Sequence, residues 1–270
     1  MLLREVEYAR AESVEDALRL LSEHDGARAL AGGQTLINVM KARAASPDVL
    51  VDLNALDDLR GIDLGADGTL TVGAMVTYTE IVESAEARAR PILGEVCNEI
   101  ADVQVRNRGT IGGNVCSNDP TNHLPPLLVA LGATMTIRGE GGEREVPAAD
   151  FFLGVYMTAV GPGELLTRVS IPPGRSDGFA SVPIGRDGTC IVNAAASLDG
   201  GGGARVAIGC VAAVPVLVTL DSTEPDAVRE AVRGAGLDPP SDVHASADYR
   251  RHLAEVLAVR AVAQAGERKH

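Results

Sequence analysis

The chain has no tryptophan, and only three phenylalanines and four tyrosines among 270 residues. That scarcity removes the aromatic platforms on which single-stranded nucleic acids stack. Positive charge is also short: 24 basic against 37 acidic side chains leave a formal net charge of −13. A field of that sign repels phosphate backbones and anionic lipid, so neither nucleic acid nor a membrane surface is expected as a partner. No apolar run reaches the ~20 residues a membrane helix needs. The N-terminal segment turns charged at Arg4 and forms no signal-peptide core, which predicts a cytoplasmic protein. Four cysteines (Cys97, Cys116, Cys190, Cys210) are scattered with no C-x-x-C pair, so neither a zinc site nor an iron–sulfur cradle is expected. Buried free thiols are the expectation instead. No G-x-G-x-x-G and no P-loop lysine motif occurs, and no Ser/His/Asp order or metal-ligand cluster can be assembled. Without a covalent nucleophile of its own, the chain would leave demanding chemistry to a cofactor.

What is present is an ordinary globular composition, 46% hydrophobic and 23% charged. Ser13–His24 reads as a capped helix, and 27–31 and 49–53 as short strands, an α/β rhythm. Residues 69–72, 134–138 and 165–171 are further strands. Residues 77–83 and one long helix over 88–103, with Ile92, Leu93, Val96 and Ile100 on its apolar face, lie between them. Pro172-Pro173-Gly174 marks a boundary. Beyond it, 178–184, 191–198 and 205–211 predict a three-stranded sheet, with a glycine hairpin at 199–203. Helices near 225–233 and 247–264 back that sheet, the second placing Tyr249, Leu253, Val256 and Leu257 on one face; the end from Gly266 to His270 is expected to fray.

Two glycine-rich segments stand out: Leu30-Ala31-Gly32-Gly33-Gln34-Thr35-Leu36-Ile37, and Asn107 to Asn114 with Thr110-Ile111-Gly112-Gly113-Asn114 at its end. Paired glycines let backbone approach a ligand, and successive N–H groups can converge on one anion. Two such cradles, one per phosphate, would suit a dinucleotide pyrophosphate. Arg106 and Arg108 flank the second segment as phosphate neutralisers or as a solvated helix end, and His123 stands at a helix start as a base or a capping residue.

The chain resembles the FAD-binding medium subunit of the molybdenum hydroxylases, the group that includes carbon monoxide dehydrogenase and xanthine dehydrogenase. The resemblance runs through LAGGQTLINVMKAR at 30–43, PDVLVDL at 47–53, TVGAMVTYTEI at 71–81, the long stretch 104–133, DFFLGVY at 150–156 and GELLTRVSIP at 163–172. It implies an α+β chain. The two-part FAD-binding fold of the vanillyl-alcohol-oxidase (PCMH) type would fill 1–174, with subdomains of about 1–55 and 56–174. A C-terminal domain of small sheet and helices would fill 175–270. It implies that Leu30 to Ile37 wrap the FAD pyrophosphate, that Thr110 to Asn114 complete the phosphate site, and that Leu166 contacts the cofactor. Two positions depart from the resembled pattern: His123 where an acidic residue usually contacts FAD, and Pro183 where many members carry a lysine near the flavin. The implied role is electron transfer with no catalytic residue and no metal site on this chain. A small 2Fe–2S subunit and a large molybdopterin subunit would be its partners in a dimer of heterotrimers, with NAD, quinone or oxygen as the outside acceptor. The departures leave open a stand-alone flavin oxidoreductase, a descendant without FAD that performs a non-redox reaction, or an interaction module without ligand.

Overall fold

The computed structural model describes residues 3–174, 176–185 and 189–268. Strands β1 (Glu7–Arg10), β2 (Ala27–Leu30) and β3 (Val49–Asp52) form a parallel sheet of order β1-β3-β2. Helix α1 (Val14–Glu23), capped by the Ser13 hydroxyl on the Asp16 amide, is the crossover that parallel pairing requires. Helix α2 (Leu36–Lys41) follows β2. The core here is Val14, Ala17, Leu18, Val49 and Val51.

A five-stranded antiparallel sheet comes next, of order β4 (Ile62–Leu64), β5 (Leu70–Gly73), β10 (Leu165–Ile171), β6 (Thr134–Gly139), β7 (Gly142–Pro147). Successive residues of β10 serve different cores: Leu165 packs with the first sheet, and Leu166 with the large cluster around α7. That cluster is built on α3 (Tyr78–Glu83), α4 (Pro91–Glu99), α5 (Val103–Arg106), α6 (Ile111–Ser117), α7 (Leu124–Leu131) and the single turn α8 (Ala148–Phe151). A small hairpin, β8 (Phe152–Gly154) with β9 (Met157–Thr158), hangs from Asn118, whose side-chain amide donates to the carbonyls of Gly154 and Met157 at 2.6 and 3.1 Å.

The last sheet has four strands, β11 (Asp177–Pro183), β12 (Cys190–Leu198), β13 (Ala204–Gly209) and β14 (Val216–Leu220), all antiparallel. It is covered on both faces: Phe179, Ala195 and Ala207 join the α7 cluster, while Ala194, Ala196, Val206 and Ile208 pack with α9 (Pro225–Gly234) and α10 (Ala247–Glu267). The alanine run 194–196 lets helices approach both faces closely.

Four expectations need correction. The long helix over 88–103 is two: α4 stops at Ile100, Ala101 takes a left-handed φ of 46°, and Asp102 caps α5 by accepting from the Val105 amide. The C-terminal sheet has a fourth strand, β14. Tyr249 points outward, 47% exposed, because α10 turns Arg250, Leu253 and Leu257 inward, which sets Tyr249 on the opposite side. Helix α10 runs on through Gly266 to Glu267, and 269–270 lie outside the described residues. The 199–203 hairpin joins β12 to β13 as expected, with the Asp199 carboxylate accepting from the amides of Gly201 and Gly203. The cysteines are free; Cys97, Cys190 and Cys210 are buried.

Candidate cofactor site

The first glycine segment leaves β2 at its carboxyl end. The Leu30 carbonyl accepts from the Leu53 amide at 3.0 Å, and the Ala31 carbonyl accepts from Asn54 Nδ2, also at 3.0 Å. Gly33 then turns the chain with a φ of +72°, a conformation that a side chain would strain. Helix α2 begins as the Ile37 amide donates to the Gly33 carbonyl and Val39 to Thr35. The Gln34 side chain donates back to the Gly32 carbonyl at 3.2 Å. Among the described residues no acceptor takes the amides of Gly32, Gly33, Gln34, Thr35 or Leu36. Five consecutive N–H groups without a protein acceptor, on half-buried or exposed residues, make this segment a candidate anion nest.

The second segment is built differently. Thr110 caps α6, its hydroxyl oxygen accepting from the Gly113 amide at 3.1 Å. The Ile111 amide donates to the Val76 carbonyl and that of Gly112 to Ala74, at 3.0 and 2.9 Å, and the Asn114 amide donates to Thr110. A second row of free amides is therefore absent here, because α6 is stitched to the segment that follows β5. What the glycines supply is closeness. A Cβ on Gly112 would lie 2.6 Å from the Ala74 carbonyl oxygen, and one on Gly109 would lie 2.7 Å from Tyr78 Cε2.

The two segments meet. A Cβ on Gly32 would overlap the Arg108 carbonyl oxygen, and one on Gly113 would lie 3.6 Å from the Ala31 methyl. Arg106 is not at hand for an anion, since its guanidinium donates to the carbonyls of Ile100 and Ala101. Arg108 is exposed and makes no ion pair among the described residues. The Asn114 side chain is buried with its Oδ1 unpartnered.

His123 and Leu166 sit elsewhere in the same body. Leu166 is buried in β10, paired across to Ile137 of β6. His123, 3% exposed, precedes α7 with its ring 5.3 Å from that of Phe179 on β11. Burial lowers its pKa to about 4, against a hydrogen bond to the Thr121 carbonyl that raises it, so the imidazole is neutral at pH 7. Its Nδ1 has no partner. Pro183 is exposed at the end of β11, where the pairing with β12 slips.

Sequence reasoning passed over the residues that hold the cradle. Ala74, Val76 and Tyr78 lie within the TVGAMVTYTEI segment; the first two act through backbone carbonyls that carry no sequence signal, and Tyr78 through its ring against Gly109. Asp52 closes β3 and Asn54 stands two residues further on; a buried acid with an amide soon after it at a strand end was the available hint.

An α+β chain with a row of bare amides, walled by a second glycine loop, defines a module for binding a phosphate-bearing cofactor. Residues 4–174, more than half of the chain, match the family described as the FAD binding domain in molybdopterin dehydrogenase. The chain is 39% identical to the carbon monoxide dehydrogenase medium chain of Afipia carboxidovorans, over 97% of each chain. It is 34% identical to the glyceraldehyde dehydrogenase medium chain of Sulfolobus acidocaldarius, covering 95% of this chain and 97% of that one. A solved CO dehydrogenase from Oligotropha carboxidovorans superposes with a TM-score of 0.92 at 35% identity, over 99% of this chain and 100% of the other. The chain belongs to this FAD-binding family. It is an oxidoreductase subunit, and FAD is its cofactor.

Proposed function

We propose that the chain carries FAD as the electron-transfer medium subunit of a molybdenum-containing hydroxylase or dehydrogenase, and that the Gly32–Leu36 nest holds the pyrophosphate. The observation that carries this reading is the row of five amides without acceptors, since such a row next to glycines lacking Cβ atoms suits a dianion. Neutral donors also suit a chain of net charge −13: the dipoles bind phosphate without a buried cation. When bound, FAD supplies one- and two-electron chemistry, linking 2Fe–2S clusters of a small partner subunit to an external acceptor. The chain's own residues bind and orient. Leu30, Ala31, Gln34, Thr35 and Ile37 frame the nest; the Thr110 hydroxyl, whose oxygen already accepts from Gly113, keeps its proton for a phosphate oxygen. Ile111, Gly112, Gly113 and Asn114 form the wall, and Arg108 adds exposed positive charge beside it. His123 offers one hydrogen bond without charge, through an Nδ1 that has no protein partner, and Leu166, away from the nest, belongs to the flavin or adenine end.

Substrate is turned over on a large molybdopterin subunit, in a dimer of heterotrimers placed in the cytoplasm. Among the described residues no helix is long and apolar enough to cross a membrane. Within this chain, 1–174 holds the cofactor and 175–270 is a separate domain clamped against α7.

The test is a double variant, Gly33→Val with Gly113→Val. It should purify without flavin while the native chain retains it; full flavin occupancy in the variant would refute the pyrophosphate assignment.

A further inference from the structure

The nest is bare because something else turns the chain at Ala31. The Asp52 carboxylate, at the end of β3 and 8% exposed, accepts from the Tyr8 hydroxyl, from the Asn54 amide at 2.9 Å and from Asn54 Nδ2 at 2.6 Å. The Tyr8 bond holds the carboxylate, and the Nδ2 bond orients the Asn54 side chain on it. The same Nδ2 then donates to the Ala31 carbonyl at 3.0 Å. One residue upstream, the Leu30 carbonyl is taken by the Leu53 amide. Two successive carbonyls are thus held by Leu53 and Asn54, just past β3, and the five amides that follow have no acceptor among the described residues. Asp52 is destabilised as an anion by burial, yet its hydrogen bonds from Tyr8 and Asn54 outweigh that and hold its pKa below the ordinary carboxylate value.

We propose that Asn54, set by Asp52, is a positioning residue for the cofactor cradle: it touches no ligand but holds the Ala31 carbonyl so that the Gly32–Leu36 amides converge. This rests on the reading of that nest as the pyrophosphate site. The clamp links three strands: β1 through Tyr8, β3 through its last residue Asp52, and β2 through Ala31, the residue that follows it. It therefore ties the loop to the whole parallel sheet rather than to a neighbour in sequence. A freed Ala31 carbonyl would be able to rotate toward the nest, setting a negative dipole where a phosphate oxygen belongs.

The test uses the full chain stripped of flavin, titrated by calorimetry with ADP, which carries a pyrophosphate, and with adenosine, which does not. Asn54→Ala should weaken ADP binding by about tenfold, the loss of one well-aligned hydrogen bond and the order it imposes. Adenosine affinity should stay at its native value. A variant that binds ADP as the native chain does would overturn the proposal. Equal weakening for ADP and adenosine would overturn it as well, since that marks a general loosening. If Asn54→Ala does not fold, Asp52→Asn keeps the side-chain shape and removes the charge that orients Asn54; ADP alone should then lose about threefold. Gly33→Val separates a failure of the nest from a failure of the clamp. Native ADP affinity in that variant means that the nest is not the pyrophosphate site. ADP loss in Gly33→Val with none in Asn54→Ala means that only the clamp is wrong.

Discussion

At the scale of single residues, His123 has the most consequential surroundings. Its folded pKa of about 4 lies below the ordinary value of 6.5, so the unfolded chain binds the proton more tightly. Stability from this group is complete above pH 6.5 and falls as pH drops toward 4, by about 3 kcal/mol in total. His123→Asn, of similar polarity and without a titrating ring, should flatten the decline of the thermal midpoint across pH 6.5–4; an unchanged decline would assign it to other groups. A second residue effect belongs to Gly32. Because the Arg108 carbonyl occupies the space a methyl would need, Gly32→Ala should push the two glycine loops apart and cost the chain its flavin, as read by absorbance at constant protein. The glycines were legible in the sequence as a pair of candidate cradles. Which amides they leave free was not. That depends on whether Val76 and Ala74 carbonyls, brought from another element, reach Ile111 and Gly112 first.

Among elements, one buried ion pair rivets the C-terminal sheet to the rest. The Arg90 guanidinium, next to α4, donates twice to the Asp177 carboxylate of β11 at 2.8 and 2.9 Å, and also to the Pro172 carbonyl and Ser197. Both side chains are 3% exposed or less. Asp177→Ala strands a buried guanidinium and should destabilise the chain by about 3–5 kcal/mol; replacing Arg90 by Met in the same chain should recover much of that loss. Chemical denaturation of the single and double variants reads both. The elements themselves were visible where their pattern was closed: Ser13 before α1, the pure strand 165–171, the glycine hairpin at 199–203. They were missed where it was not. β14 follows a stretch that is apolar from Val206 onward, so no polar punctuation announces a fourth strand. β7 reads GEREVP, an edge strand with mostly charged, exposed residues and no apolar alternation. The division of α4 from α5 was hidden by one continuous apolar period, although Asp102 is an ordinary N-cap.

For the whole molecule, the proposed cradle lies at the carboxyl ends of β2 and β3, with the α6 loop as its wall. Cofactor binding and folding are coupled there, because only the folded chain brings the two loops together. FAD at a hundred times its dissociation constant should then stabilise the cofactor-binding unit by about 2.7 kcal/mol, seen as a rise in its melting temperature. Protein whose melting is indifferent to added FAD would break that coupling. Whether the purified chain is a flavoprotein is read from its visible absorption spectrum, with the heat-released cofactor identified by mass. The expected result is a yellow protein that releases FAD at about one per chain. A colourless protein that also fails to take up added FAD would contradict it.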